Sequence, residues 1–257
     1  MKCEGELPLW LEVRRSREGM PWTYAALDRR QREIAGELGK AGGVENARGA
    51  LLLSELSPVV TLGRRTPGSD LLLDARELAA RGISLERVDR GGLATYHGPG
   101  QWVVFPVERL ERLTGDPRGV RKAVEGLLEA MLRICRAYEP KAEIRSGAET
   151  GVWSPRGKLG AVGVHVERGV LLHGLALNAF RTPESFAGIR PCGLEPRVDF
   201  LLEAGQFSGS GRGEAFLGLG EQLVSAVFEV FFGDAPKLDL ARVRGYNSGL
   251  HPISVGA

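Results

Sequence analysis

The sequence predicts an α+β fold: a mixed, largely antiparallel sheet framework with flanking helices. Three observations carry that expectation. Short apolar, β-prone runs come in pairs, and two of them flank only the turn Glu167-Arg168-Gly169. Helical periodicity recurs in about four segments spread along the chain. No regular alternation of strand, helix and strand supports a doubly wound sheet.

Residues 23–38 read as a helix, with Leu27, Ile34 and Leu38 on one face and glycines at 39, 42 and 43 to end it. Two short apolar strands follow at 50–56 and 59–62, broken at Ser57-Pro58. Asp74 with Glu77 forms a capping-box pattern, opening a short helix that Gly82 closes. A strand at 85–88 leads into a glycine-rich segment at Arg90, and another is expected at 101–107. Asp116-Pro117 then reads as an N-cap with the favoured first-turn proline. The helix it opens carries Val120, Val124, Leu127, Leu128, Met131 and Cys135 at helical spacing, which makes Cys135 a buried core residue. The hairpin strands span 158–166 and 170–179, and an apolar amphipathic helix spans 216–231. Residues 1–257 are read as a single domain whose tail, 234–257, shows no periodicity.

The composition is that of an ordinary globular protein, 43% hydrophobic and 26% charged, in 257 residues. The N-terminus lacks an apolar stretch of signal-peptide length, and no run approaches the roughly 18 apolar residues of a membrane span. The three cysteines, Cys3, Cys135 and Cys192, do not stand at metal-ligand spacing, so neither a metal nor another cofactor is expected and a reducing cytoplasm is. A net charge of +2 does not suggest nucleic acid as a partner. The cations are mostly arginine, 28 against 6 lysines, which fits either an acidic partner or a solvated surface.

Three segments have the residue types for chemistry. The first runs Arg90, Gly91, Gly92, Leu93, Ala94, Thr95, Tyr96, His97, Gly98, Pro99, Gly100, Gln101. Its glycines let backbone amides approach a ligand, although the spacing fits neither a dinucleotide fingerprint nor a Walker loop. A plain turn between strands would not need Arg90, Thr95, His97 and Gln101 in so short a span. The second places Lys158 at the start of a glycine-bearing strand, on one face with Gly160, Val162, Val164 and Val166 by period two. That lysine is either partly buried and proton-active or simply exposed at a strand end. The third pairs His173-Gly174 with Pro191-Cys192-Gly193, whose thiol sits on a tight turn. His173 reads as a hydrogen-bonded structural histidine, or alternatively as a base for that thiol.

Together these segments resemble the octanoyl-acyl-carrier-protein:protein octanoyltransferases of lipoate biosynthesis. The run 90–101, the Gly-Lys-Leu-Gly-Ala-Val-Gly-Val segment from Gly157, the His-Gly-Leu-Ala-Leu-Asn segment from His173 and the Pro191-Cys192-Gly193 tripeptide match in order and spacing. The resemblance implies a fold shared with biotin and lipoate protein ligases. It also implies an acyl-enzyme at Cys192 with Lys158 as its proton partner, both catalytic. Arg90 to His97, with Ala161, Val162, Gly163, Gly174, Leu175 and Ala176, would line the acyl site. The implied donor is octanoyl-acyl carrier protein. The implied acceptor is a lysine of the lipoyl domains of 2-oxoacid dehydrogenase complexes or of the glycine cleavage H protein. The chain departs from the family's usual pattern at Leu56, at His165 and after Gly193. An ATP-dependent lipoate or biotin ligase would use a similar glycine segment and lysine but no nucleophilic cysteine. A non-catalytic carrier-binding module would not require both Lys158 and Cys192, and a thioesterase would differ only in passing the acyl group to water.

Overall fold

The computed structural model describes residues 9–16, 22–40, 48–186, 188–189, 198–202 and 211–233. Cys192 and the expected tail therefore lie outside the described residues.

Ten strands and five α-helices are found among the described residues. In chain order these are β1 (Trp10–Arg15), α1 (Tyr24–Leu38), β2 (Ala50–Glu55), β3 (Val59–Leu62), α2 (Ala75–Ala80), β4 (Ser84–Arg87), β5 (Ala94–His97) and β6 (Gln101–Arg109). There follow α3 (Leu110–Thr114), α4 (Val120–Tyr138), β7 (Glu143–Arg145), β8 (Gly151–Trp153), β9 (Lys158–Glu167), β10 (Val170–Asn178) and α5 (Gly211–Phe232). The large sheet has the order β1-β2-β6-β10-β9-β8-β7 and the small one β4-β3-β5. Among the described strands, β1–β2 and β3–β4 pair in parallel and the other ladders are antiparallel. The architecture is the expected α+β one.

Alternation along the central strands splits the large sheet into two apolar faces. Leu51, Leu53, Trp102, Val104, Leu175 and Leu177 meet α4 and α5 on one side. Ala50, Leu52, Val103, Phe105, Leu172 and Ala176 meet Tyr24, Leu27, Ile34 and Leu38 of α1 on the other. Trp102 anchors α5: its ring stacks on Phe216 at 4.3 Å and its Nε1 donates to the Phe216 carbonyl at 2.7 Å. α5 is long and apolar enough to cross a membrane by composition, yet Phe216, Leu219, Leu223, Val227 and Phe228 are buried in the main core. The small sheet packs with Leu78 of α2 and Ile189 into a separate cluster around Tyr96.

Local signals explain most boundaries. Thr23 caps α1 through a bond from the Ala26 amide, and Asp74 with Glu77 closes a full capping box on α2. The hairpin β9–β10 turns through Arg168 and Gly169, both at positive φ, as a two-residue loop between right-twisted strands requires. The expected N-cap at Asp116 is not found. α4 starts at Val120 after Gly119 without a side-chain cap, while Asp116 accepts the Arg118 amide at 2.9 Å and closes its own turn. Sequence periodicity also passed over α3, which Gly115 ends in a left-handed conformation at φ 72°.

Candidate active site

The site forms where the glycine-rich segment crosses from the small sheet to the large one. Arg90 is 7% exposed, and its guanidinium is held within the segment's own backbone. Nη1 donates to the Gly91 and Leu93 carbonyls at 3.0 and 2.9 Å, and Nη2 to the Thr61 carbonyl and hydroxyl at 2.9 and 2.7 Å. Arg90 thus works as an internal staple that shapes the loop. The Gly91 amide bonds the Val164 carbonyl at 3.0 Å, which lays the loop along β9. A Cβ on Gly163 would stand 3.1 Å from the Gly91 carbonyl oxygen, so this glycine allows the close approach. Gly91, Gly92, Leu93, Ala161 and Gly163 are only half-buried, leaving an open surface where the two segments meet, whereas Val162 packs against the α4–α5 core.

Other expected lining residues point elsewhere. Ala94 and Tyr96 are buried in the small-sheet cluster, whereas Thr95 remains half-exposed. Leu175 lies in the α4–α5 core and Ala176 in the α1 cluster. Gly174 answers to packing: a Cβ there would fall 2.1 Å from the Val104 carbonyl oxygen of the neighbouring strand.

Lys158 is buried, at 7% exposure, and does not sit on the face that period two assigns it. A bulge opposite Val152 and Trp153 inserts Leu159 as an extra residue, so Lys158 pairs with Trp153 while Gly160 pairs with Val152. Leu159 joins the α4–α5 core. The lysine side chain runs across Gly151, where a Cβ would meet its Cε at 2.4 Å, and its Nζ stands 5.4 Å from the Trp153 ring centre. The bulge therefore separates Lys158 from Gly160, Val162 and Val164.

A buried polar relay joins this lysine to the glycine-rich segment. His97 Nδ1 lies 2.7 Å from Gln101 Oε1, an acceptor, so that ring nitrogen carries the proton. Gln101 Nε2 donates to Asn178 Oδ1 at 2.8 Å, and Asn178 Nδ2 donates to the Lys158 carbonyl at 3.2 Å. Burial, reinforced by the nearby Arg90 charge, pushes the His97 imidazole down to about 3, so it stays neutral. Beyond Cys192 the chain returns to the same place: Val198 bridges Lys158, and the Asp199 amide donates to the Lys158 carbonyl at 3.0 Å.

His173 is fully buried. Its Nε2 donates to Asp89 Oδ1 at 2.7 Å, and its Nδ1 accepts from the Tyr24 hydroxyl at 3.0 Å. Burial lowers its pKa, opposed by the Asp89 carboxylate. These contacts fit the structural reading of His173. Sequence reasoning missed Tyr24, Gln31, Asp89 and Glu55. Glu55 accepts the Gly100 amide at 3.1 Å and fixes the far end of the glycine segment. The adjacency of Asp89 to Arg90 was a signal available for that residue. Among the described residues there is no cluster of potential metal ligands.

Fold and site together define an α+β architecture that lays a glycine-rich loop along β9, the strand that carries a buried lysine. Residues 36–209 match the family model of the lipoyl protein ligase A/B catalytic domain. The chain belongs to that family, among the acyltransferases called octanoyltransferases. It is 37% identical over 196 residues to the octanoyltransferase of Chloroflexus aurantiacus, covering 73% of this chain and 83% of that protein. It is 39% identical to the octanoyltransferase of Acidobacterium capsulatum, covering 60% of this chain and 66% of that protein. With the mitochondrial octanoyl-acyl-carrier-protein:protein N-octanoyltransferase LIPT2 of Xenopus tropicalis it shares 41% identity, covering 64% of each chain. The fold is similar to lipoate-protein ligase A bound with ATP, with a TM-score of 0.57 at 15% identity, covering 88% of this chain and 85% of that one. It is also similar to LipL1 of P. falciparum in complex with lipoate, with a TM-score of 0.54 at 10% identity, covering 96% and 64%.

Proposed function

We propose that the chain transfers an octanoyl group from octanoyl-acyl carrier protein to a lysine of a lipoyl domain, through a thioester on Cys192. In the first half-reaction the Cys192 thiolate attacks the carrier's thioester carbonyl. The new carbon–sulfur bond forms as the bond to the carrier's sulfur breaks, and the carrier leaves as its thiol. In the second, the acceptor amine attacks the enzyme thioester, an amide forms and the Cys192 thiol is regenerated. Lys158 takes the thiol proton and returns it to the leaving sulfur, then relieves the incoming amine of its own proton.

The observation that carries this reading is the placement of Lys158. The bulge turns it away from the α4–α5 core, and its carbonyl ties it to Asn178 and Asp199, on the strand beside it and just beyond the Cys192 segment. Backbone amides of the glycine-rich segment, other than that of Gly91, which bonds Val164, are suited to holding the carbonyl oxygen as negative charge develops. The substrate-lining roles of Gly91, Gly92, Leu93, Thr95, Ala161 and Gly163 belong to the same proposal, because these residues are half-buried and so reachable by a substrate. A ligase reading would require ATP to activate a free acid. The test is octanoyl transfer from a loaded carrier to a purified lipoyl domain in the absence of ATP. Transfer by the native protein, abolished in Cys192→Ala, is expected; strict dependence on ATP and free octanoate would sink the proposal.

A further inference from the structure

The segment 90–97 is fastened at both ends to the same buried pair, Tyr24 and His173, one on α1 and the other on β10. At its start, Asp89 immediately precedes Arg90 and accepts from His173 Nε2 at 2.7 Å, while Arg32 Nη2 holds the other carboxylate oxygen at 2.9 Å. At its end, the His97 ring stacks on Tyr24 with centroids 5.8 Å apart and planes 18° apart. Tyr24 in turn stacks on His173 at 6.4 Å and donates its hydroxyl to His173 Nδ1 at 3.0 Å. The histidine itself is over-determined. Its amide donates to Gln31 Oε1 at 2.8 Å, and its backbone is held at φ 59° inside a strand, a conformation a non-glycine residue keeps only when its surroundings impose it.

We infer that Tyr24, His173 and Asp89 are positioning residues for the acyl site, acting through the 90–97 segment, whose two ends they tie to one rigid point between α1 and the large sheet. Arg90 fixes the interior of the loop by its bonds to Gly91, Leu93 and Thr61. The Asp89–His173–Tyr24 chain fixes where that preformed loop stands relative to Ala161–Gly163 on β9. Because both carboxylate oxygens of Asp89 are engaged by His173 and Arg32, its effect on substrate is indirect. This inference rests on the proposed acyl-transfer reading for its functional consequence, but the tie itself is physical and can be measured without any substrate.

The experiment compares Asp89→Ala, Asp89→Asn and Tyr24→Phe with the native chain by hydrogen–deuterium exchange and by octanoyl transfer. In Asp89→Ala the amides of 90–96 should exchange about tenfold faster while those of α4 are unchanged, as local opening without global loosening requires. Asp89→Asn keeps an acceptor for His173 Nε2–H and should restore most of the protection. In transfer, Asp89→Ala and Tyr24→Phe should raise KM for the octanoyl donor several-fold with kcat at saturation nearly unchanged, the signature of lost binding geometry. Unchanged exchange in 90–96, equal acceleration in α4, or an Asn variant no better than the Ala variant would each overturn the inference. A native chain inactive in transfer would defeat the acyl-transfer reading instead, and the exchange comparison would still decide the tie.

Discussion

At the residue scale, burial holds a polar side chain of the site, the His97 imidazole, in one protonation state. Its folded value is about 3 against 6.5 when free, caused first by desolvation and then by the Arg90 charge. A depressed value means that the unfolded chain takes up the proton first. The stabilisation is therefore complete above about 6.5 and is lost as pH falls toward 3. Asp89, held below the usual carboxylate range by its His173 and Arg32 bonds, acts in the same direction at lower pH. Between these limits His97 alone should contribute a slope of about 1.4 kcal/mol per pH unit. Denaturant titrations from pH 7 to 4 should show stability falling with acid, and His97→Gln should flatten the curve. An identical slope in the variant would mean that the imidazole is not held neutral. Cys135, pushed up to about 12 by burial, is the inert core thiol its helical spacing suggested.

At the element scale, glycines mark where backbones must approach and where they need not. Gly160 lies under α4, and a Cβ there would stand 2.3 Å from Met131 Sδ and 2.7 Å from the Ala176 carbonyl oxygen. Gly36, on α1, has nothing within 4 Å. Gly160→Ala should therefore destabilise by about 1–3 kcal/mol, as overpacking does, whereas Gly36→Ala should stabilise by about 0.5–1 kcal/mol. Thermal or denaturant melts of the two variants should move in opposite directions, and a shift of the same sign would contradict the packing described. Elements with strong local signals were legible in the sequence: the helix read over 23–38, the Asp74–Glu77 box and the Arg168-Gly169 hairpin all form. The short strands β1, β5, β7 and β8 were not, because three to six residues carry too little periodicity. The β9 bulge was invisible for a further reason. Period-two reasoning assumes an unbroken ladder, and the extra residue Leu159 reverses the face of Lys158.

At the scale of the whole molecule, the large sheet, faced by α1 on one side and α4–α5 on the other, sets a rigid floor for the small sheet and its loop. The segments of the candidate site were legible because its glycines, its lysine and its histidine lie in short ordered runs. Its supports were not, since Glu55, Gln31 and Tyr24 reach the site from elements far away in sequence. The account centres on a nucleophile and a proton partner, Cys192 and Lys158, and one measurement reaches both. The protein is mixed with octanoyl-acyl carrier protein without acceptor, and intact mass and peptide mapping follow the covalent adduct with time. The expected result is one octanoyl group on Cys192, forming at least about a hundredfold more slowly in Lys158→Ala, the range for removal of a general base. An adduct on another residue, no adduct at all, or an unchanged rate in Lys158→Ala would contradict the account.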